Sequence, residues 1–474
     1  MNSFYRQILC GSVAFAMLTA CGGLRQAQND TMLPSASGSS QRVAFEGRRS
    51  SGSSLIKHVI IMVQENRSFD DFFATFPGAD GTTTGKTKKG TIKLKAVDLE
   101  SPCDFGHSRQ GFVTDYDDGK MDGFEDEGQL HCNGLAGKRP YQYVKPAQIA
   151  PYWDIAKDYV LADETFQTQG SGSFTAHQDL IRGGTTFDQA QTESLVDDPS
   201  ASPWGCDAPQ GTVTPYLLWS GSAITRHANG PAPCTHDFPG SGEYYQTLRD
   251  LLDAKSVSWK YYTPPVSGSG RYWSAFDAIY PVRYGPEWKT NVSTPETNIF
   301  TDISGQSLPS VSWLIPDEGN SDHPGPGVDQ GPSWVASVVN AIGESSYYWP
   351  NTAIVIVWDD WGGFYDHVPP PISDHWGGLG FRVPMLIVSP YAREATPSTP
   401  GYISPTQYEF GSILRFVEDN WNLGRLGTTD KRANSIADSF DFKQKQRAFI
   451  QIPSSRSRSY FMHERPSYRP VDTE

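Results

Sequence analysis

The chain has 474 residues, 37% of them hydrophobic and 19% charged, with a formal net charge of −14. That balance excludes an intrinsically disordered chain and allows a sizeable buried core. The acidic sign argues against a nucleic-acid binder, which carries a basic stripe, but leaves small anionic substrates open, because a bound ion outweighs the global field locally.

Residues 1–20 read as a secretory signal: Arg6, then an apolar stretch over 8–20, too short and wrongly flanked to span a membrane. "LTAC" (18–21) resembles a bacterial lipobox, so Cys21 is expected to carry a lipid anchor and place the protein in the periplasm or at the cell surface. An ordinary cleaved signal with an incidental cysteine is the alternative. Residues 21–53, rich in Ser and Gly, read as a flexible tether. Cys103, Cys132, Cys206 and Cys234 allow three pairings. The sequence-local one, Cys103–Cys132 with Cys206–Cys234, staples two loop-rich stretches and suits an oxidising compartment.

A catalytic body is expected over 54–445. The apolar run 59–63 predicts a buried strand that stops at Gln64-Glu65-Asn66-Arg67. "SFDDFFATF" follows as a short helix with Ser68 as N-cap. Residues 78–150 form a loop-rich insertion whose acidic run lacks the spacing of an EF-hand. "WDIAKDYVLADETF" (153–166) predicts helix then strand, and "SFTAHQDLIRG" (173–183) opens a helix. Residues 185–245 read as a second insertion. Residues 244–265 predict helix then strand, ending near Tyr261 and Tyr262, which are candidates to line a pocket or to pack the core. A strand over 311–315 runs into Asp317, Glu318, Asp322 and His323; a helix covers 333–345. "TAIVIVWDDWGG" (352–363) is the most hydrophobic strand and ends in Asp359-Asp360, with Asp366 and His367 just beyond. A strand (382–392), a helix (411–421) and a short basic tail (446–474) complete the chain. Helices alternating with apolar strands predict an α/β fold: a mostly parallel central sheet flanked by helices, with loop-rich insertions.

Ligands collect at the carboxyl ends of strands in such sheets. Glu65, Asn66, Asp359 and Asp360 would bring hard oxygen donors together there, and carboxylates at that density repel unless a divalent cation joins them. Helix capping and ion pairing are the alternatives. Ser173 stands at a helix N-terminus, where N–H groups attract an anion; it reads as a nucleophile or as a plain N-cap. His177 lies one turn on and faces either the site or the helix surface.

"HVIIMVQENRSFDDFF", "GSFTAHQDLIRG", "SDHPG", "VWDDWGGFYDHVPPP" and "FRVPMLIVSPYAR" together resemble the bacterial phosphoesterase family of non-zinc phospholipases C and related acid phosphatases, in the alkaline-phosphatase-like superfamily. The resemblance implies a divalent metal of unspecified identity held by Glu65, Asn66, Ser173, Asp359 and Asp360. It also implies a Ser173 nucleophile whose helix N-terminus cradles the phosphoryl oxygens, and His323 or His107 as acid to the leaving alcohol. Asp366 and His367 read as residues that support the site's ligands from behind or hold the local structure. Asp-Asp at 359–360 and Ser at 173 lean toward the acid phosphatases; Thr175-Ala176-His177 departs from the Pro-Asn-Arg of many phospholipases. The implied partner is a small phosphate ester or a phospholipid head group. A sulfatase-like hydrolase and a binding lipoprotein without turnover are the alternatives.

Overall fold

Five consecutive apolar residues, 59–63, are fully buried on both faces in the central strand β1 (His58–Gln64). This is why the sequence there reads as a continuous apolar run rather than an alternation. The computed structural model describes residues 55–130, 132, 134–221, 223–371, 378–396 and 401–468. The segments read as signal and tether, Cys21 and residues 469–474 lie outside them. The described residues belong to one compact unit, Ser53–Glu474.

The other strands of the main sheet are β2 (Val160–Ala162), β3 (Trp259–Tyr262), β4 (Val292–Ser293), β5 (Val311–Leu314), β6 (Thr352–Trp358), β7 (Met385–Val388) and β8 (Tyr402–Ser404). Their spatial order is β4-β3-β5-β1-β6-β7-β2-β8. Only β7 runs against its neighbours; every other pairing is parallel. The fold is thus α/β with a mostly parallel sheet, as the alternation of elements implies. Gln64 pairs with Trp358, so β1 and β6 end at the same height.

The helices used below are α1 (Phe69–Phe73), α2 (Ala150–Asp158), α3 (Ser173–Arg182), α4 (Gly331–Gly343) and α5 (Phe410–Trp421). Ser68 caps α1 by accepting from the Asp71 N–H. Helix α2 packs on α4, and α3 on α5. Trp313 of β5 fastens α3 to the sheet by donating to the Leu180 carbonyl at 3.1 Å. Gly183, with φ +74°, ends α3 in the left-handed conformation that stops a helix.

Both stretches read as insertions carry a disulfide, Cys103–Cys132 and Cys206–Cys234. The second also holds a small antiparallel sheet of Glu193–Leu195, Tyr216–Trp219 and Ile224–His227. Past residue 446 the chain stays against the body: Phe461 is buried on Trp334, and the Ser467 hydroxyl and N–H donate to Glu318 and Asp317. Among the described residues no helix is long and apolar enough to cross a membrane.

Candidate active site

Adjacent parallel strands of equal height deliver the two polar pairs side by side. Glu65 and Asn66 leave β1, while Asp359 and Asp360 leave β6; all four are fully buried. Asp359 Oδ1 accepts from the backbone N–H of Asn66 at 3.0 Å and of Asp360 at 2.8 Å, which ties the strand ends together. Asn66 adopts a left-handed backbone, φ +55°, an uncommon state that clusters at functional sites. Gly362 makes room for it. A Cβ there would come within 2.3 Å of the Asn66 carbonyl oxygen.

Helix α3 brings Ser173 over these strand ends. Its hydroxyl lies 3.1 Å from Asp360 Oδ2 and 3.3 Å from Asn66 Oδ1. One hydroxyl proton therefore serves two acceptors. His177, four residues on and on the same helix face, places Nε2 at 2.9 Å from Glu65 Oε1 and 3.7 Å from Asp359 Oδ2. One donor at the N-terminus of α3 is already taken. Asp198, from the second insertion, accepts from the Phe174 N–H at 2.9 Å.

The electrostatics follow from this crowding. Burial, and then Asp359, Asp360 and Asp198 in turn, push the Glu65 carboxyl well above its ordinary range. Burial followed by Asp359 does the same to Asp360. Burial pushes the His177 imidazole down to about 4, against the pull of Asp359. No arginine or lysine bonds to Glu65, Asn66, Ser173, Asp359 or Asp360 among the described contacts.

These residues fit a divalent ion. Asn66 Oδ1 faces Glu65 Oε2 and Asp359 Oδ1 at 3.2 Å each, acceptor against acceptor. Asp359 Oδ2 is buried without a hydrogen-bond partner. Turning the Asn66 amide over would relieve the first conflict, but needs a proton on His107 Nε2. A cation relieves both with one charge. Hard oxygens beside an imidazole suit a hard or borderline ion.

Two histidines flank the cluster. His107 Nε2 is 2.9 Å from Asn66 Nδ2 and 4.0 Å from Asp360 Oδ2. His323 stacks on Trp273, with ring centroids 5.8 Å apart. Backbone carbonyls of Phe105 and Pro324 hold the two Nδ1 atoms as donors, so each Nε2 is the working atom. Asp104, which sequence reading passes over, stands between them, 4.0 Å from His107 Nδ1 and 3.8 Å from His323 Nε2. Its only sequence signal is the short "CDFGH" run inside a loop-rich insertion.

Other candidates fall elsewhere. Asp366 and His367 join Asp70 and Arg382 in a separate network. Tyr261 is core: its hydroxyl donates to the Trp273 carbonyl and accepts from the Ala275 N–H. Tyr262 reaches Asp302 at 2.6 Å, on the opposite face of β3. Of the acids after β5, Asp322 bonds Tyr152 and Asp317 bonds the tail, so only His323 comes near.

Residues 56–424 match the Phosphoesterase family. The chain belongs to that family. Among its phosphoesterase relatives, a non-hemolytic phospholipase C of Pseudomonas aeruginosa is 23% identical over 78% of this chain, and one of Burkholderia pseudomallei 24% identical over 88%. The alignments span only 54% and 63% of those two relatives' own length. A solved protein of the alkaline phosphatase superfamily from Vibrio parahaemolyticus overlays with TM-score 0.36 and 9% identity, covering 82% of this phosphoesterase and 72% of that chain. That overlay is too loose to carry an argument.

Proposed function

We propose that the protein hydrolyses phosphoric esters with Ser173 as nucleophile. The observation that carries the reading is the Ser173 hydroxyl donating into Asp360 at the head of a buried acid–amide cluster. Family membership and the phospholipase C relatives support the reaction class. Glu65, Asn66, Asp359, Asp360 and Ser173 would hold a divalent ion. When bound, it supplies positive charge to the phosphoryl oxygens and favours the serine alkoxide.

The chain's own groups do the rest. Asp360 Oδ2 accepts the Ser173 proton as the Oγ–phosphorus bond forms. The bond from phosphorus to the leaving oxygen breaks on the opposite side, and a protonated His Nε2, on His107 or His323, gives that oxygen its proton. Asp104 holds the imidazolium charge. Water then attacks phosphorus while the neutral imidazole takes its proton, the Oγ–phosphorus bond breaks, and Asp360 returns the proton to Ser173, leaving net retention at phosphorus. Burial excludes bulk water and strengthens each interaction.

Ser173→Ala is expected to lower p-nitrophenyl phosphate turnover by at least ~10³-fold, and acid quench of the wild type should trap phosphate on Ser173. Near-normal turnover by the variant would sink the reading. Asp-Asp at 359–360 favours the acid-phosphatase type; turnover of phosphatidylcholine but not of p-nitrophenyl phosphate would reverse that choice. Export to an oxidising compartment is part of the proposal and suits the two disulfides; the lipid anchor at Cys21 rests on the lipobox resemblance at 18–21 alone. Cys21→Ser should release the protein from the membrane fraction.

A further inference from the structure

We infer that His177 is a direct ligand of the divalent ion, giving this centre one imidazole nitrogen beside its carboxylate and amide oxygens. The inference rests on the metal-assisted reading above and deepens it. One donor atom each from Glu65, His177 and Asp359 lies within 4.8 Å of the other two. The tighter separations, 2.9 Å and 3.7 Å from His177 Nε2, are the telling ones. Donors about 2.0–2.2 Å from a common ion stand about 2.9–3.6 Å apart at octahedral or tetrahedral angles. The Nε2–Oε1 edge falls in that range and the Nε2–Oδ2 edge, at 3.7 Å, lies just beyond it, with the Glu65–Asp359 edge within 4.8 Å.

A hydrogen bond alone explains less. An Nε2–H donating to Glu65 Oε1 would satisfy that oxygen but leave Asp359 Oδ2 buried and without a partner. At 3.7 Å the imidazole is too far to bond it. An ion between the three groups satisfies both carboxylates at once. The local sequence fits as well: Ser173 and His177 are four apart on α3, so one helix face offers both hydroxyl and nitrogen. The position of the nucleophile would then be fixed from two sides of the same ion.

The chemical consequence is selectivity. An imidazole in an otherwise oxygen-only set moves preference from Mg²⁺ and Ca²⁺ toward zinc, iron, cobalt or nickel.

The test uses the full-length protein stripped with chelator and reloaded with one equivalent of Mn²⁺. Pulsed EPR should show nitrogen-14 modulation in the wild type and in His107→Gln, and none in His177→Gln. Calorimetry should show Zn²⁺ affinity falling at least ~10-fold in His177→Gln, with Mg²⁺ affinity much less changed. Bound Mn²⁺ without nitrogen modulation in the wild type overturns the ligand assignment and leaves the serine phosphoesterase reading intact; this arm needs no variant to fold. Modulation that survives His177→Gln also overturns it. Failure of the wild type to bind Mn²⁺, Zn²⁺ or Mg²⁺ overturns the metal itself, while phosphate trapped on Ser173 decides the nucleophile separately.

Discussion

Two buried clusters in this protein are built from the same two stretches of chain. "QENRSFDD" gives Glu65 and Asn66 to one and Asp70 to the other; "WDDWGGFYDH" gives Asp359 and Asp360 to the first and Asp366 and His367 to the second. Both gather carboxylates and a histidine within ligand-like distance. The second cluster contains its own cation. Arg382, fully buried, donates to both oxygens of Asp366 at 3.0 and 3.2 Å and lies 3.6 Å from Asp70, which also bonds His367 at 2.7 Å. Among the described contacts the first cluster has no such residue, and burial with its own neighbouring acids pushes Glu65 and Asp360 well above the ordinary range; burial also raises Asp70 in the second, but there His367 and Arg382 pull against it. Similar composition thus yields a closed structural knot where arginine is present, and a set of donors that fits a divalent ion where no arginine reaches it.

Removing the internal cation should cost most. Arg382→Met leaves Asp366 buried without its guanidinium and Asp70 with His367 alone, a change worth about 3–5 kcal/mol. Urea unfolding is expected to show that loss, with metal affinity of the folded fraction unchanged; an unaltered midpoint would mean the knot bears little of the fold. On the other side, Asp360→Asn removes the acceptor of the Ser173 proton. Turnover of p-nitrophenyl phosphate should fall ~10²–10³-fold while the fold does not weaken, because one buried like charge is gone. A loss of stability without a loss of kcat would place Asp360 with the structural residues.

The first cluster was largely legible and the second was not, for a physical reason. Buried parallel strands read as apolar runs, so the residues where the runs stop, Glu65-Asn66 and Asp359-Asp360, announce themselves. Asp366 and His367 follow closely enough to be read with the site. Gly362 and Gly363, at φ +60° and +70°, turn the chain away and carry them to Arg382. Asp104 and Asp198 come from loop-rich insertions without periodicity, so nothing local marked the first as sitting between two histidines or the second as capping α3. His177 could be placed on a helix face by its spacing from Ser173, but its partners became visible only when β1 and β6 were seen side by side.

Asp104 offers a subtler way to sharpen the contrast, since in the proposed mechanism it compensates an imidazolium that is charged before the step and gives up its proton in it. Asp104→Asn should lower kcat/KM by ~10-fold and move the alkaline limb of the pH profile to lower pH, because the imidazolium loses its neighbouring charge. Stability should change little. An unmoved limb would show that Asp104 positions the loop rather than the proton.

The smallest effect distinguishes the clusters most directly, through the pH dependence of the metal-free fold. Glu65 is raised well above its ordinary 4.5, first by burial and then by Asp359. At pH values between 4.5 and the folded value, the unfolded chain has released this proton and the folded chain still holds it. Folding then binds a proton, so stability falls as pH rises, by about 1.4 kcal/mol per unit for one such group. Asp322 and Asp277, each raised to about 7 mainly by burial, give the same sign elsewhere in the molecule and set a background slope. Glu65→Gln removes one contribution. The chelated variant should therefore match wild type near pH 4.5 and exceed it by a margin that grows on going to neutral pH. Saturating divalent ion should reverse the order, since binding favours the ionised carboxylate that only the wild type can present. Parallel stability curves for the two chelated proteins would mean that Glu65 is already charged in the metal-free fold, and that the cluster finds its compensation within the chain, as Asp366 does.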